Sequence, residues 1–253
     1  MLMLATALIF FTRLPIWRFI SVPSDNFKRV IYYWPFAGWL TASVMSLTLL
    51  ATSTFLPLSV AIVLTIISRV ILTGALHEDG LGDFLDGFGG GHSKEKILAI
   101  MKDSHAGTYA IVGLIFYFLL SYNILLSIEP SLLMILMLIA DPFCKMVSSF
   151  ITARLPYART EDTSKIQVIY SKPSTPEIIV SLSFGLLPLV IFSWFLPSFW
   201  YVFAVITPIL LFFILTQWMK HKIQGYTGDC AGALFLLLEI SMMLTFLAIH
   251  TVL

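Results

Sequence analysis

The sequence predicts an all-α, polytopic integral membrane bundle of about seven transmembrane helices, and three observations carry that prediction. Of the 253 residues, 58% are hydrophobic and 11% are charged, against roughly 25% charged in ordinary soluble domains. Apolar runs of about 18 residues or more recur, each long enough to cross a bilayer. Basic residues gather in alternate connections between those runs. A β-barrel is excluded, because its strands alternate in segments of about 10 residues without long apolar runs.

The expected spans are 35–56, 58–76, 108–127, 132–152, 178–196, 199–218 and 231–250. Ahead of them, Met1 to Thr12 is apolar but too short to cross, so it reads as an interfacial or partly inserted helix. No basic residue precedes it and no cleavage site follows, so it is not expected to be a secretory leader. Long connections (13–34, 77–107, 153–177, 219–230) alternate with short ones near 57, 128–131 and 197–198. The long ones hold Arg13, Arg18, Lys28, Arg29, Lys94, Lys96, Lys102, Arg154, Arg159, Lys165, Lys172, Lys220 and Lys222, whereas Arg69 and Lys145 lie inside spans. An odd number of spans puts all four long connections on one side. The positive-inside rule makes that side, with the N-terminus, cytoplasmic. With a net charge of +1 the overall balance names no partner, and no nucleic acid is expected. Cys144 and Cys230 lack metal-ligand spacing and read as free thiols.

The chemistry centres on residues 76–91. Glu78, Asp79, Asp83 and Asp86 fall within nine residues of a chain otherwise poor in charge. In a helix, Asp79, Asp83 and Asp86 occupy i, i+4 and i+7, one face, with Glu78 off it. Like charges so close repel one another and call for a cation. Mg²⁺ is the simplest candidate, held by one or two carboxylates plus substrate phosphate oxygens. Gly87, Gly89, Gly90 and Gly91 follow and are expected to form a pliable loop whose amides approach a ligand. The pattern points to phosphoryl chemistry at a cytoplasmic face.

Further candidates surround it. Lys102 and His105 can contact phosphate, Asp103 can add a carboxylate, and Asp103 or Ser104 can cap the next helix. His77 and His105 are available for acid–base work. Asp141 and Lys145, four apart inside a span, read as a pair or as a ligand group, and Arg69 and Glu239 raise the same question. Arg154 and Arg159 suit phosphate. In Gly225-Tyr226-Thr227-Gly228-Asp229-Cys230, Thr227 or Asp229 can cap the last span, whose N-terminus favours anions.

Phe11-Thr12-Arg13-Leu14-Pro15, Leu76 to Gly87, Met101-Lys102-Asp103-Ser104, Tyr157-Ala158-Arg159 and Gly228-Asp229, spread in order over nearly the whole chain, resemble one family. It is the cobalamin synthases, the adenosylcobinamide-GDP ribazoletransferases. The sequence departs from the pattern at Glu78, where an apolar residue is expected, and at Phe84 and Leu85, where smaller ones are usual. The resemblance implies a single transmembrane catalytic domain, 1–253, in a bacterial or archaeal cytoplasmic membrane. It implies Mg²⁺-dependent joining of adenosylcobinamide-GDP to α-ribazole or its 5′-phosphate, with release of GMP. On that reading the metal ligands are Asp79, Asp83, Asp86, Glu78 and Asp103, and His77 is a further candidate for the proton. Lys102, Arg154, Arg159, Gly89, Gly90 and Asp229 serve the phosphates. A homo-oligomer is compatible with the sequence. The alternatives are a phospholipid synthase of the CDP-alcohol phosphotransferase type, or an ion-coupled transporter using Asp141, Lys145 and Arg69.

Overall fold

Apolar length decides where the long helices fall. The computed structural model describes residues 1–159 and 169–253, which leaves Lys165 outside the described residues. Its helices are α1 (Leu2–Phe11), α2 (Trp34–Thr52), α3 (Leu58–Thr73), α4 (Leu76–Gly90), α5 (Lys94–Ile100), α6 (Thr108–Leu126), α7 (Pro130–Ser149), α8 (Ile151–Arg154), α9 (Thr175–Phe192), α10 (Ile206–Ile223) and α11 (Gly228–Val252). Six helical stretches are apolar and long enough to cross a membrane: Val30–Thr52, Thr108–Leu126, Pro130–Arg154, Thr175–Phe195, Phe199–Ile223 and Gly228–Val252. Among the described residues no strand forms beyond an isolated bridge between Tyr157 and Tyr226. The all-α membrane bundle read from the sequence is therefore the observed fold.

The second expected span, 58–76, differs. α3 has 16 residues, about 24 Å at 1.5 Å per residue, and α4 leaves it at 90°. Counted as one bent crossing, the pair brings the total to seven. The corner has a local cause: Gly74 (φ 66°) and Ala75 (φ 57°) are both left-handed. Ala75 carries a Cβ there, which costs roughly 1–2 kcal/mol, so its surroundings hold it. The Arg13 amide bonds the Leu72 carbonyl at 2.7 Å. Its side chain covers Gly74 so closely that a Cβ would lie 2.1 Å from Nε.

Two connections are more structured than the sequence suggests. Residues 77–107 hold α4 and α5, and the glycines expected as a loop lie in α4, with Gly91 as its C-cap. Amides inside a helix are spent on its own hydrogen bonds, so those of Gly89 and Gly90 do not face a ligand. The missing side chains serve packing instead. A Cβ on Gly87 would meet Met101 Cγ at 2.4 Å and one on Gly89 the Tyr109 ring at 2.8 Å. Likewise α10 continues to Ile223, with Lys220 and Lys222 in its last turn, and only Gln224 to Thr227 joins it to α11.

Small residues bring the helices together, as is usual in membranes. At Gly38 an added Cβ would sit 2.8 Å from both Asp141 Oδ1 and Pro142 Cα, the close crossing of α2 and α7. Beside it Lys145 Nζ bonds Asp141 Oδ1 at 2.5 Å and Thr41 Oγ1 at 2.7 Å. Arg69 Nη1 bonds Glu239 Oε2 at 2.5 Å and Nη2 bonds the Tyr117 hydroxyl at 2.8 Å. Both clusters are buried. Phe235 lies between them, with Lys145 Nζ 4.7 Å and Arg69 Cζ 5.9 Å from its ring centre. Cations on an aromatic face are attracted by its quadrupole.

Candidate active site

The site forms where α4, turned 90° from α3, crosses the start of α11. The crossing is close because two glycines face it. A Cβ on Gly80 would stand 3.0 Å from the Asp229 carbonyl oxygen, and one on Gly232 would lie 3.5 Å from His77 Cα. Asp229 sits in the first turn of α11, whose N-cap is Thr227, its hydroxyl accepting from the Cys230 amide at 3.3 Å.

Asp79 and Asp229 line one cavity of about 160 Å³ with Phe10, Phe11, Ile31, Trp34, Leu76, His77 and Tyr170. Its inner wall is aromatic. Trp34 stacks on Phe11 (centroids 5.1 Å, 12°) and on His77 (5.3 Å, 28°), and both touch Phe235. Tyr170 is carried in by its neighbour: the Ser171 amide bonds the Lys28 carbonyl at 2.8 Å, and the Tyr32 hydroxyl bonds the Ser171 carbonyl. His77 and Trp34 are 1% and 2% exposed, yet neither His77 nitrogen nor the Trp34 indole nitrogen has a hydrogen-bond partner. These three nitrogens lie within the packed aromatic wall rather than on the cavity surface.

The remaining acids divide by what they touch. Asp83 is half-buried, one turn along the carboxylate face from Asp79. Asp86 is buried and serves another helix: Oδ2 accepts from the Gly107 amide at 2.6 Å and Oδ1 from the Ala110 amide at 2.9 Å. It caps α6 in place of the expected Asp103 or Ser104. Glu78 points into the bundle, 3.9 Å from Arg69 Nε, away from the other three. Exposed Asp103 accepts from the His105 amide at 3.0 Å and faces its Nδ1 at 2.7 Å, and these bonds hold its carboxyl below the usual range. His105 is itself exposed, away from the cavity wall that carries His77.

Among the described residues, no three His, Cys, Asp or Glu side chains converge to hold a metal by themselves. The donors at the cavity still fit a cation whose shell is completed by ligand oxygens. Mg²⁺ keeps few protein carboxylates and takes the rest from water and phosphate. Asp79 and Asp229 on the cavity, with Asp83 a turn away, are such a set.

None of the basic candidates lines the cavity itself. Lys102 is exposed at the end of α5. Arg159 Nη2 donates to the Leu98 carbonyl at 3.0 Å. Arg154 Nε donates to Thr216 Oγ1 at 2.7 Å and its guanidinium lies 4.9 Å over the Phe213 ring. The chain at Arg159 is held against α11's start by Ala158 N to Tyr226 O (2.8 Å) and Tyr226 N to Pro156 O (3.0 Å). Gly225 permits this, since a Cβ there would lie 2.5 Å from Pro156 O. Segments far apart in sequence thus meet at one end of the bundle. Trp34, Phe10 and Tyr170 escape a sequence reading: with 21 Phe, 9 Tyr and 6 Trp in the chain, no single aromatic stands out.

The family model described as cobalamin-5-phosphate synthase matches residues 3–247. The chain belongs to this family. A relative from Leptospira interrogans serogroup Icterohaemorrhagiae serovar copenhageni (strain Fiocruz L1-130), an adenosylcobinamide-GDP ribazoletransferase, is 35% identical over 88% of this chain and 86% of its own. Enzymes of the same description from Pseudoalteromonas atlantica (34%; 89% and 83%) and Vibrio cholerae serotype O1 (32%; 96% and 92%) are also similar. No solved structure matches the chain. Membership in the cobalamin-5-phosphate synthases replaces both alternatives weighed from the sequence, the phospholipid synthase and the transporter.

Proposed function

We infer that the protein is a membrane-embedded enzyme of the last cobalamin assembly step, joining adenosylcobinamide-GDP to ribazole with release of GMP. The family match carries the reaction. The shared cavity of Asp79 and Asp229 is the observation that supports its place in this chain.

In this proposal a ribazole hydroxyl oxygen bonds to the phosphorus on the cobinamide side of the pyrophosphate. The bond from that phosphorus to the bridging oxygen breaks, and GMP departs with the electron pair. Asp229, on the α11 wall, takes the hydroxyl proton. Asp79 and Asp83 would hold Mg²⁺, which when bound supplies charge neutralisation at the pyrophosphate. Lys102 and Arg159 steady the departing GMP phosphate, where an arginine fork suits two phosphate oxygens. Positioning and charge account for most phosphoryl-transfer catalysis, so a rigid crossing of α4 and α11 is what the reaction needs. Glu78, Asp86 and Arg154, each engaged elsewhere, act as structural supports.

The site faces the cytoplasm in a bacterial or archaeal cytoplasmic membrane. Support comes from the sequence, in which the basic residues outside the spans fall in alternate connections. The test is GMP release by the detergent-purified protein given adenosylcobinamide-GDP, α-ribazole and Mg²⁺. Release should require both substrates and cease with EDTA. Release that persists in EDTA would remove the metal from the proposal, and none at all would remove the reaction.

A further inference from the structure

The direction in which α4 leaves α3 decides whether Asp79 reaches the cavity, and α4 does not set that direction by itself. Its N-cap, Ala75, makes no side-chain cap bond. Gly74 (φ 66°) and Ala75 (φ 57°) are both left-handed, and an alanine stays in that region only where its surroundings hold it there. Asp79 stands one turn away, its amide bonding the Ala75 carbonyl at 2.8 Å. Whatever holds Ala75 therefore also places Asp79.

The hold comes from Arg13. Its amide bonds the Leu72 carbonyl, in the last turn of α3, at 2.7 Å. Its side chain runs across the corner: a Cβ on Gly74 would stand 2.1 Å from Nε and 2.9 Å from both Cγ and Cδ. Arg13 is fixed in turn to α1. The Thr12 amide bonds the Leu8 carbonyl at 3.1 Å, and the Thr12 hydroxyl accepts from the Leu14 amide at 3.3 Å. Phe11 lines the cavity and stacks on Trp34. Arg13 thus ties the α1 side of the cavity, Phe10 and Phe11, to the α4 side, Leu76, His77 and Asp79.

We propose that Arg13 is a positioning residue for the transfer reaction: by closing the α3–α4 corner it places Asp79 on the cavity that Asp229 shares. It acts through the stem packed on Gly74 and not through its charge. The consequence for rate rests on the ribazole-transfer reading above, whereas the corner itself does not.

One measurement of shape and one of rate test this. Spin labels on Val60→Cys, near the start of α3, and His92→Cys, just past α4, report the corner as a distance by pulsed electron paramagnetic resonance. Both positions are exposed, and the native Cys144 and Cys230 are buried. With Arg13 in place the pair should give one narrow distance. Arg13→Ala should shift and broaden it, and Arg13→Met, whose unbranched stem covers Gly74 without the charge, should keep it narrow. In GMP release measured well below the unfolding temperature, Arg13→Ala should lower kcat about tenfold to a hundredfold, the scale on which a displacement of about 1 Å acts, with KM for α-ribazole unmoved. Arg13→Met should stay near the wild-type rate. Glycine adopts the left-handed conformation without being held, so adding Ala75→Gly to Arg13→Ala should recover most of the lost rate. An unmoved label distance in Arg13→Ala overturns the clamp. A lower unfolding temperature with kcat unmoved marks a merely structural arginine and overturns the positioning role. So does Arg13→Met as slow as Arg13→Ala with no rescue by Ala75→Gly, which would assign the guanidinium charge to substrate. If wild-type protein releases no GMP, the transfer reading has failed, and the label distance still decides the corner.

Discussion

Asp86 Oδ2 accepts a hydrogen bond from the Gly107 amide at 2.6 Å. With its other oxygen on Ala110, the carboxylate closes the N-terminus of α6, where unsatisfied amides and the helix dipole both favour an anion. Part of the charge in the acid cluster is therefore balanced by backbone, which weakens the argument that all three aspartates need a metal. Asp86→Asn turns one acceptor oxygen into a donor facing an amide. It is expected to lower stability by about 1–3 kcal/mol, read as a drop in thermal unfolding temperature in detergent. Asp79→Asn, exposed on the cavity, should leave that temperature unchanged. Equal unfolding temperatures for the two variants would refute the division of roles.

Gly38 and Gly185 each mark a close approach to α7. A Cβ on Gly38 meets Pro142 Cα at 2.8 Å and one on Gly185 meets Met146 Cβ at 2.4 Å. Both atoms are carried rigidly by the α7 backbone, so neither can swing aside. Gly38→Ala and Gly185→Ala should each cost about 1–3 kcal/mol by forcing α2 or α9 from α7. Unfolding of the two variants beside the wild type checks this.

The long helices were legible because apolar length is read directly from sequence, and so was the helical nature of the acid segment. The crossings were not. The 90° corner at Gly74 and Ala75 depends on Arg13 lying across it, a contact some sixty residues distant. Asp79, Asp83 and Asp86 share a face by spacing alone, but what each meets is set by which helix begins opposite. α11 starts beside Asp79 and α6 beside Asp86. The glycines after the acids misled because flexibility and close packing call for the same residue. The pairing of Lys145 with Asp141 was readable from its four-residue interval, whereas that of Arg69 with Glu239 spans 170 positions and was not.

That long-range pair supports a third expectation. Arg69 and Glu239 are both buried and face each other across α3 and α11. Removing one partner leaves a charge without compensation, typically a loss of about 3–5 kcal/mol. Arg69→Met and Glu239→Gln should each destabilise strongly. The double variant should lose less than the sum of the two, because neither charge is then orphaned. Strict additivity in the unfolding data would show that the pair does not interact as drawn.

The final expectation concerns Asp79 and Asp229 together. They reach one cavity only because Gly80 lets α4 lie against the Asp229 backbone. If Asp79 holds the metal and Asp229 takes the proton, their asparagine variants should fail differently. Asp79→Asn should weaken the apparent Mg²⁺ affinity, so that part of the lost rate returns as Mg²⁺ is raised. Asp229→Asn should lower kcat on the order of a hundredfold, the scale of a lost general base, with the Mg²⁺ dependence unmoved. Gly80→Val separates the walls and should impair both properties. Steady-state GMP release against Mg²⁺ concentration for the three variants checks this. Identical Mg²⁺ curves for Asp79→Asn and wild type would take Asp79 out of the metal site.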